Sequence, residues 1–219
     1  MLNGIDISKW QPRTPGLAGL SFAFARATYA TVVDPRYATH VAAFRRAGVV
    51  VGAYHFGVGF QSPAAQVSAF LRTAQGASLL VLDLERDSTE TMTQAEAREF
   101  IRLVHSAGRK IGLYHSRSGF PSLGQDFNWV AQWGSVPPTG IRWAFWQWQG
   151  SPLDRDKFNG DVIALRALAG LPVPVPPATL ARLRGYIARL AAVIKPTADQ
   201  RTKLAEYRAR LKAYLKRGP

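Results

Sequence analysis

The chain has 219 residues, of which 47% are hydrophobic, and this is enough for one full domain with an appendage. It contains no cysteine, so a disulfide scaffold and a cysteine nucleophile are excluded. The formal net charge is +14, and residues 171–219 hold 11 Lys or Arg against 2 Asp or Glu. A strongly basic segment therefore follows a milder domain.

The first 116 residues alternate short β-prone runs with segments that carry helix signals. The runs are NGIDIS (3–8), FAFARAT (22–28), VVGAYHF (50–56), LLVLDLE (79–85) and KIGLYHS (110–116). Three helices are predicted between them, from Asp34-Pro35 to Gly48, from Ser62-Pro63 to Gly76, and from a capping box of Thr93 and Glu96 to Gly108. Repeated strand–helix–strand order predicts parallel strands.

The second half of this region has strand signals without helix signals. FNWVAQW (127–133) and WAFWQW (143–148) are strand-like, and a short eighth strand is expected near Asp154. Glycine and proline interrupt the connections around them. The fold class that we predict is α/β: a TIM-like β/α barrel over residues 1–170 whose second half is irregular and poor in helices.

The C-terminal segment reads as a linker and two short helices. Residues 171–178 are rich in proline and should be stiff and extended. Two apolar stripes follow at helical spacing, and they predict a helical hairpin over residues 179–219. The stripes are Leu180, Leu183, Ile187, Leu190 and Ile194, then Leu204, Tyr207, Leu211 and Tyr214. The basic hairpin either binds an anionic polymer, mediates self-association, or docks on the barrel and stabilises it.

Two acids two positions apart end the fourth strand. Side chains alternate along a strand, so Asp83 and Glu85 should project from the same face. Paired carboxyl groups suit glycoside hydrolysis, which needs one protonated acid and one ionised partner. The alternative is that the pair marks the exit of the strand into solvent.

Two further acids lie at predicted strand ends. Asp6 is in the first strand and Asp154 follows the WQW strand. Alone, Asp6 could cap a turn or a helix, and Asp154 could be an ordinary loop acid. In a closed barrel such strand ends converge on one mouth, where the active sites of parallel barrels lie.

Aromatic residues also follow the strand signals. Sugars present C–H faces that pack on aromatic rings, and their hydroxyl groups need polar partners such as Gln147. The candidate substrate-binding residues are Trp10, Tyr54, Tyr114, Trp133 and Gln147. The alternative is that such rings, with Trp146 and Trp148, belong to the core, which we expect for about half of them.

No metal site and no cofactor are expected. His55 and His115 each follow a tyrosine, but neither has a second ligand at metal-binding spacing. The chain has no glycine-rich phosphate motif, and Gly-x-Ser-x-Gly is absent.

Seven segments together resemble family 25 glycoside hydrolases, the Chalaropsis-type lysozymes that are common as phage endolysins. They are GIDISKWQ (4–11), RATYATVVDPRY (26–37), AGVVVGAYHF (47–56), VLDLE (81–85), AQW (131–133), WQW (146–148) and LDRDKF (153–158). The resemblance covers about residues 2–165. It implies a flattened, irregular barrel and N-acetylmuramidase activity on peptidoglycan. Tyr29 and Ala30 stand where the family often has Glu and Gly.

The resemblance also implies that Asp6, Asp83, Glu85 and Asp154 line the cleft. Glu85 is then expected to be the general acid, and the three aspartates are expected to stabilise positive charge or the acetamido group of the substrate. Retention of configuration is implied, through the N-acetyl group, with direct attack by an aspartate or inversion by water as alternatives.

Three other classes of protein fit the sequence less well. A family 18 chitinase would have further aspartates two and five residues before the Asp-x-Glu pair, where this chain has Val81 and Ser78. A non-catalytic glycan-binding barrel would not need all four acids. A nucleic-acid-binding protein would need base-reading motifs, which are missing, so no nucleic acid is expected as a partner.

Targeting signals are weak. No run approaches the roughly 18 apolar residues of a membrane span, and MLNGIDISKW lacks the regions of a secretory signal peptide. We therefore expect an endolysin that is made in the host cytoplasm and acts on the bacterial wall after release.

Overall fold

A closed barrel of eight strands dominates the computed structural model, which describes residues 1–86, 89–173, 177–192 and 197–216. The chain divides into two compact units, Met1–Leu171 and Pro172–Pro219. The strands of the first unit are β1 Leu2–Ile7, β2 Phe22–Tyr29, β3 Val32–Val33, β4 Val50–Phe56, β5 Leu79–Asp83, β6 Gly112–Ser116, β7 Phe127–Ala131, β8 Phe145–Gln149 and β9 Arg155–Phe158. Its helices are α1 Tyr37–Ala47, α2 Pro63–Thr73, α3 Gln94–Ser106 and α4 Val162–Leu168.

The order of the strands explains how the barrel closes. Neighbours run β1-β2-β4-β5-β6-β7-β8-β9, and β9 pairs with β1 to complete the ring. The first seven of these strands are parallel to one another, whereas β9 is antiparallel to both of its neighbours. The C-terminal ends of seven strands and the N-terminal end of β9 therefore meet at one mouth.

Large aromatic rings fill the barrel because glycine on neighbouring strands leaves room for them. A Cβ on Gly52 would lie 2.1 Å from the ring of Phe24, and one on Gly4 would lie 2.3 Å from the ring of Phe22. The Phe24 ring stacks on Trp129 with centroids 4.5 Å apart. The interior of the barrel is thus packed with side chains, which leaves its mouth as the place for a ligand of the barrel.

The first three helices begin and end close to where the sequence predicts. Ser62 caps α2 by accepting a hydrogen bond from Ala65 N, and Thr93 and Glu96 form the expected capping box of α3. The first helix differs, because it begins at Tyr37 after an N-cap residue, Arg36, that makes no side-chain cap. Asp34, which we expected at the helix start, accepts from Arg36 N through Oδ1 at 2.9 Å, while its Oδ2 has partners outside the helix.

The second half of the barrel is irregular, as the sequence predicts. The connections between β6 and β7 and between β7 and β8 contain no helix. The sequence did not predict α4, which follows β9 and is capped by the Asp161 carboxylate accepting from Ala164 N. The prediction of an α/β barrel is confirmed.

The second unit contains α5, Pro177–Ala191, and α6, Ala198–Lys216. The two helices contact each other, and the rings of Tyr186 and Tyr207 meet edge to face with centroids 4.8 Å apart. The apolar stripes are only half-buried, and none of this unit's residues with a described side chain is fully buried. Ile194 and the side chain of Tyr214 lie outside the described residues. The described side chains of the hairpin therefore form no fully buried core.

Within the described segments, no helix combines the length and the apolar character needed to cross a membrane.

Candidate active site

A cleft of about 390 Å³ opens at the mouth of the barrel, and all nine residues that the sequence singled out line it. The lining residues are Asp6, Ser8, Trp10, Gln11, Arg26, Tyr54, Phe56, Asp83, Glu85, Tyr114, Trp129, Trp133, Gln147 and Asp154. A larger cavity of about 650 Å³ lies among the segments that precede β7 and β8. It holds one acid, Asp126, which pairs with His105, so the smaller cleft is the better candidate for acid–base chemistry.

Strand alternation places the first acid pair. Asp83 is the last residue of β5 and is buried on the inner face of the barrel, while Leu84 packs into the outer core beneath the helices. Glu85 follows at the exposed rim of the same cleft. Both carboxyl groups thus reach one cleft at different depths, as the spacing of two predicts.

A second acid pair of the same spacing lies at the start of β9. Asp154 precedes the strand, and Asp156 is buried within it, opposite Gly4 of β1 and Gln147 of β8. Trp129 Nε1 donates a hydrogen bond of 2.9 Å to Asp156 Oδ1. The antiparallel direction of β9 brings this strand start to the mouth. Sequence reasoning missed Asp156, although its spacing from Asp154 repeats that of Asp83 and Glu85.

The amide of Gln147 joins three elements of the site. Its Oε1 accepts hydrogen bonds from the Tyr114 hydroxyl at 2.9 Å and from Trp133 Nε1 at 3.2 Å. Its Nε2 donates to Asp6 Oδ2 at 2.9 Å. Because the oxygen has two donors, the amide nitrogen must face Asp6. Gln147 therefore fixes how Asp6 is presented to the cleft.

Burial raises the pKa of the cleft acids. Burial raises the pKa of Asp6 to about 8, and the negative charge of Asp154 adds to the effect while the Gln147 hydrogen bond opposes it. Burial followed by the charge of Glu85 raises the pKa of Asp154 to about 6. The pKa of Asp156 is well above its ordinary range because of burial and the nearby charge of Asp6. Protons therefore remain in this cleft near neutral pH.

The pKa values of Asp83 and Glu85 are raised as well. Burial raises the pKa of Asp83 well above its ordinary value, and Glu85 adds to this while Arg26 opposes it. Glu85 is partly exposed, yet its surroundings still desolvate the carboxyl and raise its pKa, against the influence of His115. The raised pKa of Glu85 is therefore due to burial.

The aromatic residues of the cleft fall into two groups. Trp10 and Trp133 stand at the rim with 74% and 71% of their surface exposed, which is unusual for tryptophan. Tyr54 and Tyr114 are buried, and burial raises the pKa of both phenols, so both remain hydrogen-bond donors. The site thus offers flat apolar faces beside polar groups, a combination that suits sugars.

Trp146 and Trp148 do not line the cleft. Trp146 is buried in a small cluster with Val130 and Trp143, and its Nε1 donates to Gln132 O at 2.6 Å. Trp148 is half-buried and lies beneath the Lys157 ammonium group. These two rings therefore belong to the core or support it, which was the alternative to a substrate-binding role.

The histidines do not form a metal centre. His55 is buried in the outer core between Thr28 and Gln66, and burial lowers its pKa to about 4. His115 lies close enough to Glu85 to lower the pKa of that carboxyl, while its own Nδ1 is 2.7 Å from Ser116 O. Among the residues described, no group of three His, Cys, Asp or Glu is arranged to hold a metal ion.

Tyr29 is the last residue of β2, and Ala30 begins the turn that follows it. The Tyr29 ring stacks on Phe56, a residue that lines the cleft, with centroids 5.4 Å apart. Ala30 has a positive φ of 51° and is buried. An L-residue in this region costs about 1 kcal/mol or more, which explains why glycine suits this position in related sequences.

The family model for glycosyl hydrolases family 25 matches residues 5–156 of this chain. Lysozyme M1 of Streptomyces globisporus is 31% identical over 209 residues, which covers 77% of this chain and 71% of that protein. The matched region contains all four acids predicted from the sequence.

Two solved structures share the barrel. A family GH25 lysozyme from Aspergillus fumigatus has a TM-score of 0.70 at 24% identity, covering 77% of this chain and 98% of the other. The catalytic domain of endolysin ply40 from bacteriophage P40 of Listeria monocytogenes has a TM-score of 0.62 at 27% identity, covering 78% and 98%.

Proposed function

Since the chain belongs to family 25 of the glycosyl hydrolases and is a muramidase-type glycoside hydrolase, we propose that it cleaves the β-1,4 bond between N-acetylmuramic acid and N-acetylglucosamine in peptidoglycan. One observation carries this proposal. Carboxyl groups from β1, the end of β5 and the start of β9 line a single cleft with two exposed tryptophans at its rim. This arrangement provides both acid–base groups and sugar platforms.

Glu85 is the proposed general acid. It lies at the exposed rim, where a glycosidic oxygen can approach, and burial raises its pKa, which favours the protonated form that a general acid needs. In the proposed step Glu85 gives its proton to the bridging oxygen while the bond to the anomeric carbon breaks. Substrate that covers the rim would desolvate Glu85 further and strengthen its hold on the proton before transfer.

Asp6, Asp83 and Asp154 are the proposed stabilisers of the opposite charge. Positive charge develops at the anomeric carbon as the bond breaks, and it is stabilised by whichever of these three carboxyl groups is ionised at that moment. Gln147 holds one oxygen of Asp6, so that carboxyl can orient the acetamido group of the substrate. Attack by the acetamido oxygen would retain the configuration. Direct attack by an aspartate would also retain it, whereas activation of water would invert it.

The proposed chemistry needs no metal ion and no organic cofactor. Proton transfer and charge stabilisation by carboxyl groups are sufficient for glycoside hydrolysis. Hydrolysis of purified walls should therefore continue unchanged in a chelator, and activity that disappears in EDTA and returns with a divalent ion would contradict this part of the proposal.

The experiment that tests the function makes two measurements on one digestion. Purified peptidoglycan is digested and the new reducing ends are reduced with borohydride, so a muramidase yields muramitol and a glucosaminidase yields glucosaminitol. Proton NMR of the first-formed anomer then distinguishes retention from inversion. The expected result is muramitol with the β anomer first. Glucosaminitol alone would contradict the proposed bond, and a first-formed α anomer would exclude the acetamido route.

Purified walls also distinguish the proposed function from two alternative functions. A chitinase-like glycosidase would degrade chitin oligomers faster than peptidoglycan. A non-catalytic wall-binding barrel would sediment with walls but release no reducing ends. Glu85→Gln should bind walls normally and release almost no reducing ends, which is the pattern of an enzyme that has lost its acid.

The proposed biological role is that of a phage endolysin. Its support is the similarity to the catalytic domain of the P40 endolysin. In this role the protein is made in the cytoplasm of the infected host and reaches the wall after a separate release event. A lysis cassette in the genomic neighbourhood would support the role, and a neighbourhood of bacterial metabolic genes would contradict it.

The C-terminal hairpin is proposed to add affinity for an anionic wall polymer or to mediate self-association. Its described basic side chains are exposed, among them Arg201, Arg208 and Lys212. Its apolar stripes are only half-buried, so the hairpin keeps apolar surface available for a further contact. Both features favour a binding role over catalysis.

A further inference from the structure

The wall of the cleft that carries Trp10 is an irregular segment, Ser8–Thr14, which we name the rim segment. Ser8, Trp10 and Gln11 of this segment line the cleft. Within the segment, Ser8 N donates to Gln11 Oε1 at 2.9 Å and Gln11 N donates to Ser8 O at 3.1 Å. These short-range bonds fold the segment on itself but do not hold it against the barrel.

Two buried side chains hold the rim segment from outside the cleft. Asp34 Oδ2 accepts a hydrogen bond of 3.0 Å from Lys9 N, the residue next to Trp10. His40 Nε2 donates to Ser8 O at 3.2 Å, and His40 Nδ1 accepts from the Thr14 hydroxyl at 2.8 Å. A carbonyl can only accept, so the ring hydrogen must sit on Nε2. Asp34 and His40 thus hold both ends of the segment.

Asp34 also reaches the floor of the cleft. The same Oδ2 accepts from Arg26 Nε at 2.9 Å, and the Asp34 side chain is fully buried in this ion pair. Arg26 lines the cleft and lowers the pKa of Asp83. Asp34 Oδ1 accepts from Arg36 N at 2.9 Å, so both oxygens are occupied. The Asp34 carboxylate therefore links the rim segment, which carries Trp10, to Arg26, the cation beside the cleft acids.

We infer that Asp34 and His40 are positioning residues that set the place of Trp10 over the cleft and thereby determine the affinity for substrate. The inference rests on the proposed function, because it takes Trp10 as a sugar platform. Neither residue lines the cleft. A displacement of about 1 Å in a platform is enough to weaken a bound sugar or misalign its reacting bond. Substrate affinity should then respond to two side chains that never touch the substrate.

The test is a double-mutant cycle between Asp34→Asn and Trp10→Ala, measured as KM on solubilised glycan strands. Asp34→Asn should raise KM roughly tenfold, but in the Trp10→Ala background it should raise KM less than about twofold, because the platform is already gone. His40→Gln provides a second variant, with the same expected non-additivity, if Asp34→Asn does not fold.

Asp126→Asn is the matched control. Asp126 likewise accepts a backbone hydrogen bond, 2.7 Å from Ile111 N, and pairs with a histidine, but it lies outside the cleft. Asp126→Asn should leave KM unchanged if the inference holds, whatever it does to the melting temperature. Equal rises in KM for Asp34→Asn with and without Trp10, or an equal rise for Asp126→Asn, would overturn the inference.

The same double-mutant cycle is also measured as the dissociation constant of a GlcNAc–MurNAc tetrasaccharide. If the wild-type protein released no reducing ends, the proposed function would fail, while the affinity cycle would still decide the role of Asp34. If hydrolysis occurs but the cycle is additive in both KM and affinity, the positioning role alone is wrong.

Discussion

The amide nitrogen of Gln147 donates a 2.9 Å hydrogen bond to Oδ2 of Asp6, a residue 141 positions earlier in the chain. The bond joins β8 to β1 across the inner face of the barrel, with β9 between them. It opposes the effect of burial on the pKa of Asp6. The contact therefore controls both the orientation and the protonation of one of the four candidate acids.

Gln147→Ala should reduce kcat by roughly 10-fold or more, because Asp6 loses its donor and its pKa rises further. The Tyr114 hydroxyl and Trp133 Nε1 also lose their acceptor. Release of reducing ends from walls is the measurement. Gln149→Ala is the control, because Gln149 is on the same strand but outside the cleft. Similar losses for the two variants would show that damage to β8, and not the contact with Asp6, is responsible.

Asp83→Asn should raise the melting temperature while it abolishes activity. A carboxyl with a higher pKa in the folded chain binds its proton more tightly there than in the unfolded chain. Stability is therefore greatest below the ordinary pKa of about 4 and is lost as pH rises towards the folded-state pKa. Asparagine removes this loss, so the gain in melting temperature should grow as pH rises above about 4, and it is measured at pH values from 4 to 8.

The gain should reach at least about 2–4 °C at the upper end of this range, which corresponds to about 1 kcal/mol in a protein of this size. Asp161→Asn is the control for the chemical change, because Asp161 is an exposed helix cap where asparagine serves equally well. A melting temperature for Asp83→Asn that falls below that of the wild-type protein at pH 8 would contradict the raised pKa.

The order of strand and helix signals was sufficient to predict the barrel, and the period-two pattern of β5 predicted that Asp83 and Glu85 share a face. Each inner residue of β5 is followed by an outer one, so the local sequence alone specifies which face a side chain occupies. The helix caps of α2 and α3 are local for the same reason, since cap and partner lie three residues apart.

The parts that the sequence did not reveal depend on contacts between distant segments. Asp156 becomes part of the site because β9 runs antiparallel between β1 and β8, and no local pattern specifies that direction. Asp34 resembles a helix start in the sequence, and one carboxylate oxygen does accept from Arg36 N there, but the other accepts from Arg26 Nε and Lys9 N, which no local pattern predicts. Only the closed barrel brings these groups together.

Asp156→Asn should retain most of the activity, in contrast to Asp6→Asn. Unlike Asp6, Asp156 does not line the cleft, and burial raises its pKa, which favours a neutral side chain that asparagine imitates in shape and charge. Asparagine can also keep the acceptor for Trp129 Nε1. Asp156→Ala should instead cost about 1–3 kcal/mol of stability, because that buried donor is left without a partner. The measurements are the rate of wall hydrolysis and the free energy of unfolding.

A loss of activity for Asp156→Asn as large as that for Asp6→Asn would mean that Asp156 acts as a carboxylate. The site would then contain one more ionised acid than we propose, and the proton would have to rest on another member of the cluster.

Binding through the C-terminal hairpin should weaken steeply with salt. Attraction between exposed charges is screened over roughly 8 Å at physiological ionic strength. Replacing Arg201, Arg208 and Lys212 by glutamine should reduce sedimentation with purified walls at low salt and flatten its salt dependence. The melting temperature of the barrel should remain unchanged. Truncation before Pro172, at the boundary between the two units, should have the same effect on binding.

Three measurements on the truncated and full-length chains separate the roles of the hairpin. Lower solution mass without a change in wall binding would indicate self-association. Each apolar stripe spans only about two heptads, which is short for an independent coiled coil, so such association would also involve the barrel. Unchanged wall binding with a much lower melting temperature would identify the hairpin as a stabilising appendage. The binding role holds only if wall affinity falls on truncation while the melting temperature of the barrel does not.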